Sequence, residues 1–219
     1  VNARVRVKIC GITNCGDALA AMDAGADAVG FNLFAGSKRH VPLADLMRWL
    51  PSIQRPDVLW VGLMVDPSIE EIAEALPFFD AIQLHGRETP ALCAAAAAIG
   101  PVWKAFPLDE HLDEAAVAPF QAQGIIIDTS LPGAFGGTGV LIDLDHAARF
   151  VSVCPGRQVW LSGGLNPGNV AAAVEKVRPH GVDVSTGVEI PGNPRRKDPA
   201  RIRAFIAAAH QASAAPQLD

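Results

Sequence analysis

Positive charge is in short supply in this sequence. Among 219 residues, 18 Lys and Arg face 23 Asp and Glu, a formal net charge of −5. Broad nucleic-acid binding needs spare cations to neutralise phosphates, so that class is excluded and only a local anion site stays open. Cysteine is scarce too. Cys10, Cys15, Cys93 and Cys154 form no CxxC pair and have no His partner at zinc-finger spacing, which excludes a metal knuckle and points to no metal. In a chain this long they read as reduced thiols of a cytoplasmic protein. Long apolar runs are missing as well. The longest, Ala91 to Ile99, stops at Gly100-Pro101, well short of the roughly 20 residues that span a bilayer, so no membrane partner is expected. The opening VNARVRVKICG is too short and polar for a signal peptide, which needs about 7–15 apolar residues after a basic start.

What the sequence does have is repetition. Half of it is apolar, enough for a large core. Runs rich in β-branched residues recur as VRVKIC (5–10), AVGFNLF (28–34), VLWVGLMV (58–65), AIQLH (81–85), VWKAF (102–106), GIIID (124–128), QVWLSG (158–163) and VDVS (182–185). Between them, three- and four-residue apolar spacing predicts helices in CGDALAAMDAG, PLADLMRWL, PSIEEIAEAL, TPALCAAAAAI and NPGNVAAAVEKV. Asn166 before Pro167 predicts an N-cap, and Gly25 and Gly100 predict helix ends. Alternation alone fits an open doubly wound sheet or a closed barrel. Eight units, with no GxGxxG after the first strand, favour the barrel. The expected fold class is α/β, a single-domain (β/α)8 TIM barrel over residues 1–219, with 212–219 as a flexible tail.

Strand polarity then says which side chains point inward. Val5, Val7 and Ile9 oppose Arg6, Lys8 and Cys10; Ile82 and Leu84 oppose Gln83 and His85; Val182 and Val184 oppose Asp183 and Ser185. Helices cover the outside of a barrel, so the polar sets should line the interior and end at the C-terminal mouth, where barrel enzymes keep their chemistry. Two glycine turns fall at that mouth: Gly163-Gly164 in LSGGLNPGNV and Ser185-Thr186-Gly187 in VDVSTGVE. Glycine lets backbone N–H groups approach an anion, and the barrel phosphate site is built from these two loops. The alternative is a pair of ordinary tight turns.

Cys10 ends the first strand and Asp128 the sixth, a thiol and a carboxyl group on two sides of one mouth. Lys8, two residues before Cys10, is placed to lower its pKa. A lone carboxylate after Ile125-Ile126-Ile127 is costly to bury without a role or partner. Ser37, Lys38, Arg39 and His40 offer a cation at the rim, or a solvated basic loop. Lys104 and Asp183 are expected to pair inside the barrel. Gln83 and His85 are assigned to substrate binding, with a structural histidine as the alternative for His85. The long segment DTSLPGAFGGTGVLIDL (128–144), with Gly133, Gly136, Gly137 and Gly139, reads as a lid or binding loop. GGTG is no Walker motif, because no Lys follows it.

Taken together, KICGIT (8–13), GADAVGF (25–31), SKR (37–39), IQLHG (82–86), IIID (125–128), GGTG (136–139), LSGGLNPGNV, VDVSTGVE and KD (197–198) resemble phosphoribosylanthranilate isomerases in order and spacing, over roughly residues 5–210. The resemblance implies a cofactor-free (β/α)8 barrel of tryptophan biosynthesis. It implies an Amadori rearrangement of N-(5-phosphoribosyl)anthranilate to 1-(2-carboxyphenylamino)-1-deoxyribulose 5-phosphate. It makes Cys10 the general base, Asp128 the general acid, Arg39 the contact to the anthranilate carboxylate and Asp183 a carboxylate near the substrate amine. Phosphate contacts fall to Gly163, Gly164, Ser185, Thr186 and Gly187. The partner expected is this phosphorylated small molecule, for a monomer or a homodimer. Departures from the family pattern are Lys38 for the usual proline, Thr186 for the second serine, and VLIDL after GGTG in place of an aromatic Phe-Asp-Trp pattern. The alternative is another phosphate-binding barrel enzyme, such as a thiamin-phosphate or indole-glycerol-phosphate synthase. The first would want metal-binding carboxylates, the second a lysine pair with a Glu at strand ends. A noncatalytic phosphate-binding barrel is the third reading.

Overall fold

Strands that alternate two faces, each followed by an amphipathic helix, can bury both faces by curling into a ring with the helices outside. The computed structural model describes residues 4–129 and 142–214 and shows that arrangement. Strands β1 (Arg6–Ile9), β2 (Ala28–Asn32), β3 (Leu59–Met64), β4 (Ala81–Leu84), β5 (Val102–Pro107), β6 (Gly124–Asp128), β7 (Gln158–Leu161) and β8 (Gly181–Val184) pair in parallel and in sequence order. β8 returns to β1 to close the barrel, with Lys8 level with Asp183. The expected (β/α)8 barrel is the observed fold.

The helices are α1 (Cys15–Asp23), α2 (Leu43–Leu46), α3 (Leu50–Ile53), α4 (Ile69–Ala75), α5 (Pro90–Ala97), α6 (Glu114–Val117), α7 (Leu144–Val153), α8 (Val170–Val177) and α9 (Pro199–Ala214). Their starts follow capping chemistry: Asn14, Ser68, Thr89 and Asp113 each accept a first-turn N–H, and Ser68 with Glu71 forms a capping box. Gly25 ends α1 at φ +91° with its N–H on the Met22 carbonyl, as expected of a helix stop. A hairpin of β9 (Glu189–Ile190) and β10 (Asn193–Lys197) lies beyond β8.

Three local readings are corrected. PLADLMRWL does not form one helix: the chain breaks between α2 and α3, where Pro51 sits at the start of a new helix that it can begin but not continue. Asn166 is not the cap of α8, which starts at Val170. Its side chain instead accepts the Gly168 N–H, while Asn169 donates to the Gly164 carbonyl, so both amides brace the glycine loop. Residues 212–214, assigned to a tail, are the last residues of α9; 215–219 lie outside the described residues, as do 130–141 of the lid segment with all four of its glycines.

The barrel interior is layered. At its floor Trp103 and Trp160 pack at 4.8 Å among Ala28, Val61, Ala81, Ala105 and Ile126. Gly124 and Gly181 make that possible: a β-carbon on either would stand 2.9 Å and 2.3 Å from an indole ring. Val7, Ile9, Ile82, Leu84, Val182 and Val184 face the helices, as strand polarity predicted. Above the indoles lies a charged layer. There Lys8, fully buried, is 3.0 Å from Asp183 and donates to Gln83 Oε1 at 2.9 Å. Lys104 does not join it. It shares the outward face of β5 with Val102 and Phe106, and its ammonium meets Glu88 at 3.0 Å. Asp183 is paired with Lys8 instead, so the expected Lys104–Asp183 pair does not exist.

Candidate active site

The mouth is a cavity of about 240 Å³ lined by Asp128 of β6, the loop after β7, and Asp183 to Gly187 of β8 and its loop. The two glycine turns lie side by side in its wall. Gly163 and Gly164 adopt φ +99° and +66°, open to glycine at little cost, and among the described residues their N–H groups donate to no protein acceptor. Gly187 lies so close to the other loop that a β-carbon would fall 1.9 Å from the Leu165 carbonyl oxygen. Between the two turns the wall is therefore backbone and small side chains, the surface an anion needs for close approach, and Arg201 also lines the cavity. Ser185 lines it too; its hydroxyl accepts from Lys197 and donates to Glu189 Oε1 at 3.4 Å. Thr186 Oγ1 accepts from Arg39, which leaves its own proton free to donate.

Cys10 follows β1 and is buried, its N–H held by the Val184 carbonyl at 2.8 Å. Room for its sulfur comes from Gly30, where a β-carbon would lie 2.9 Å from Sγ and 3.0 Å from Lys8 Cε. Lys8 does not set the thiol's pKa as expected. Burial pushes the thiol up, and the attraction of Lys8 only partly offsets it. Lys8 itself would be lowered by burial, but Asp183 and Cys10 hold it above its usual value.

Asp128 ends β6, buried, with Oδ2 at 3.5 Å from His85 Nε2. Gln83 is fully buried, its carboxamide spent on Lys8 and on His85 Nδ1 at 3.0 Å. The sequence suggested substrate binding for Gln83; in the structure it has no exposed surface and its two ends are turned to Lys8 and His85.

Arg39 arrives on the loop after β2 and is not a free cation at the rim. It grips Glu189 through Nε and through Nη2 at 3.2 Å, and Nη2 also reaches Thr186 Oγ1 at 3.0 Å. Lys197 of β10, fully buried, completes the clip at 3.2 Å from Glu189. Burial alone would raise the Glu189 carboxyl, yet Arg39 and Lys197 hold it below its usual value; burial lowers Lys197 in turn. Sequence reasoning quoted VDVSTGVE and KD but gave Glu189 and Lys197 no role, because two residues eight apart show no pairing until a hairpin folds them together. Gly11 is a second omission: its φ is +71°, and a β-carbon there would strike Arg39 and Ser185.

Among the described residues no three His, Cys, Asp or Glu gather as a metal-binding group, and no helix is long and apolar enough to cross a membrane.

Comparison with known proteins bears on this geometry. Residues 7–208 match the family model described as N-(5'phosphoribosyl)anthranilate (PRA) isomerase. A relative from Citrifermentans bemidjiense, named N-(5'-phosphoribosyl)anthranilate isomerase, is 42% identical over 209 residues, 93% of this chain and 96% of its own. The crystal structure of phosphoribosyl anthranilate isomerase from Thermotoga maritima superposes with a TM-score of 0.84 at 38% identity, covering 94% of this chain and 98% of the other. A phosphoribosyl anthranilate isomerase in complex with reduced 1-(o-carboxyphenylamino)-1-deoxyribulose 5-phosphate superposes with a TM-score of 0.75 at 38% identity, with the same coverage.

Proposed function

Given that the chain belongs to the N-(5'-phosphoribosyl)anthranilate isomerase family, we propose that its barrel mouth works with Cys10 as general base and Asp128 as general acid. Isomerisation of phosphoribosylanthranilate in tryptophan biosynthesis is the function of that family and of this chain. The observation that carries the assignment is the placement of the thiol and the carboxyl group at the mouth ends of β1 and β6, beside the glycine loops of β7 and β8.

In this reading the substrate phosphate sits on the N–H groups of Gly163, Gly164 and Gly187 with the hydroxyls of Ser185 and Thr186. Asp128 gives its proton to the ribose ring oxygen; the C1–O bond breaks and the nitrogen lone pair forms a C1=N Schiff base. Cys10, as thiolate, takes the proton from C2, and those electrons return to nitrogen as an enolamine. Protonation at C1 with loss of the C2 hydroxyl proton then converts the enolamine to the ketone. Asp183 faces the developing iminium charge from beside Lys8. Arg39 meets the anthranilate carboxylate through the part of its guanidinium that Glu189 leaves free. The steps are proton transfers within one molecule, so neither a metal nor an electron carrier enters them, and turnover should survive exhaustive treatment with EDTA. The outward turn of Lys104 onto Glu88 removes the lysine that an indole-glycerol-phosphate synthase reading would use.

Every group in this reading comes from one chain, so a monomer suffices, and specific activity should not fall on dilution through the dissociation range of a homodimer. Four free cysteines fit a reducing cytoplasm. The test is a fluorescence assay of phosphoribosylanthranilate consumption. Cys10→Ser and Asp128→Asn should each lower kcat by at least ~10²-fold, with little change in product affinity. Near-normal turnover by either variant removes that residue from its role.

A further inference from the structure

A chain of buried polar contacts runs under the mouth from β8 to β6: hydrogen bonds from Lys8 to Asp183 and to Gln83 and between Gln83 and His85, then a 3.5 Å approach of His85 Nε2 to Asp128. Its directions are fixed by chemistry. An ammonium has donors only, so Lys8 must face the oxygen of the Gln83 amide, and the pair with Asp183 keeps it an ammonium. The other end of that amide is then the NH₂ group, which points at His85 Nδ1 from 3.0 Å. Facing a donor, Nδ1 can only accept. The imidazole proton is left on Nε2, the atom 3.5 Å from Asp128 Oδ2, with no other partner among the described residues.

We propose that Gln83 and His85 are positioning residues for Asp128: Gln83 fixes the Nε2–H tautomer of His85, and that N–H holds the Asp128 proton on the oxygen that faces substrate. With Nε2–H directed at Oδ2, Oδ2 is an acceptor and the acidic proton belongs on Oδ1. Were the tautomer reversed, a bare Nε2 would draw the carboxylic proton to itself and the acid would be spent on the protein. After the proton leaves, the same N–H stabilises the carboxylate. The present 3.5 Å separation is long for a hydrogen bond, as such contacts often are before substrate closes the site. No outward-facing residue could serve, because the chain must cross the barrel interior between β1, β4 and β6. Gln83 is the inward side chain of β4 beside Lys8, with His85 one inward position nearer the mouth.

This rests on Asp128 being the acid, and the experiment separates the two. ¹⁵N NMR of histidine-labelled protein should show His85 protonated at Nε2 and bare at Nδ1 in the wild type; an Nδ1 proton there overturns the proposal whatever the activity. Gln83→Glu replaces the donor by an acceptor and should place a proton on Nδ1, while lowering kcat ~10–100-fold with KM within about threefold. An Nδ1 proton with unchanged kcat also overturns it. Should Gln83→Glu not fold, His85→Leu and His85→Gln serve. The first removes the donor and should lose the same kcat; the second keeps an N–H near Nε2 and should recover most of it. Equal kcat in His85→Leu and wild type defeats the proposal, whereas full turnover by Asp128→Asn defeats the acid assignment instead.

Discussion

Burial and charge pull the Cys10 thiol in opposite directions, and burial wins. In the role of base proposed for it, Cys10 must be a thiolate, and a thiol held above its ordinary value of 9.0 then leaves a mark on pH dependence. In the free enzyme kcat/KM should climb with pH on a limb centred above 9, and that limb should vanish in Cys10→Ser. A limb centred below 8 in the wild type would mean that Lys8 outweighs burial. Glu189 carries the opposite sign. Its folded pKa lies below its unfolded one, so its contribution to stability is complete above the ordinary value of 4.5 and is lost as pH falls through the lower, folded value. Glu189→Gln strands Arg39 and Lys197, and should cost about 3 kcal/mol at neutral pH. In urea unfolding, the gap between the two proteins should narrow as the pH drops below 4.5; a gap that stays constant would show that the carboxylate charge is not what holds the clip. At this scale the sequence showed the residues whose chemistry is unusual for their place, such as a lone Asp after three isoleucines. It did not show partners. Lys104 looked like an interior cation until its strand's register turned it outward to Glu88.

Elements were legible where periodicity was long and caps were plain, which covers the eight strands and the helices begun by Ser68 and Thr89. They were misread where tertiary demands overruled a local signal: Asn166 looks like a cap, but its amide braces the glycine loop after β7. That bracing makes the fit between the β7 and β8 loops sensitive to a single methyl group. Gly187→Ala must push back the Leu165 backbone, which cannot rotate away as a side chain could. We expect a loss of about 1–3 kcal/mol and a KM increase of at least tenfold. Gly156→Ala is the control. It carries φ +83° with open space around it, so it should cost about 1 kcal/mol from left-handed strain alone and leave KM unchanged. If both variants shift KM alike, the loop contact has no part in binding.

At the scale of the whole molecule, closure of the barrel makes the mouth and the floor parts of one cooperative unit. β8 completes the ring against β1, so whatever binds the β7 and β8 loops binds only when all eight strands are in place. A ligand held by the native state alone stabilises it by about 2.7 kcal/mol at a hundred times its dissociation constant. For a chain of this length each kcal/mol raises Tm by roughly 2–4 °C. Saturating inorganic phosphate should therefore raise Tm by roughly 5–11 °C against chloride at matched ionic strength. A net charge of −5 repels anions in general, so a rise of that size needs a local cradle rather than overall attraction. The rise should disappear in Gly187→Ala and persist in Cys10→Ser, whose side chain does not line the cavity between the glycine loops. A rise that survives Gly187→Ala would place the phosphate elsewhere, with Arg39 the next anchor to test, and would reverse the orientation of substrate across the barrel.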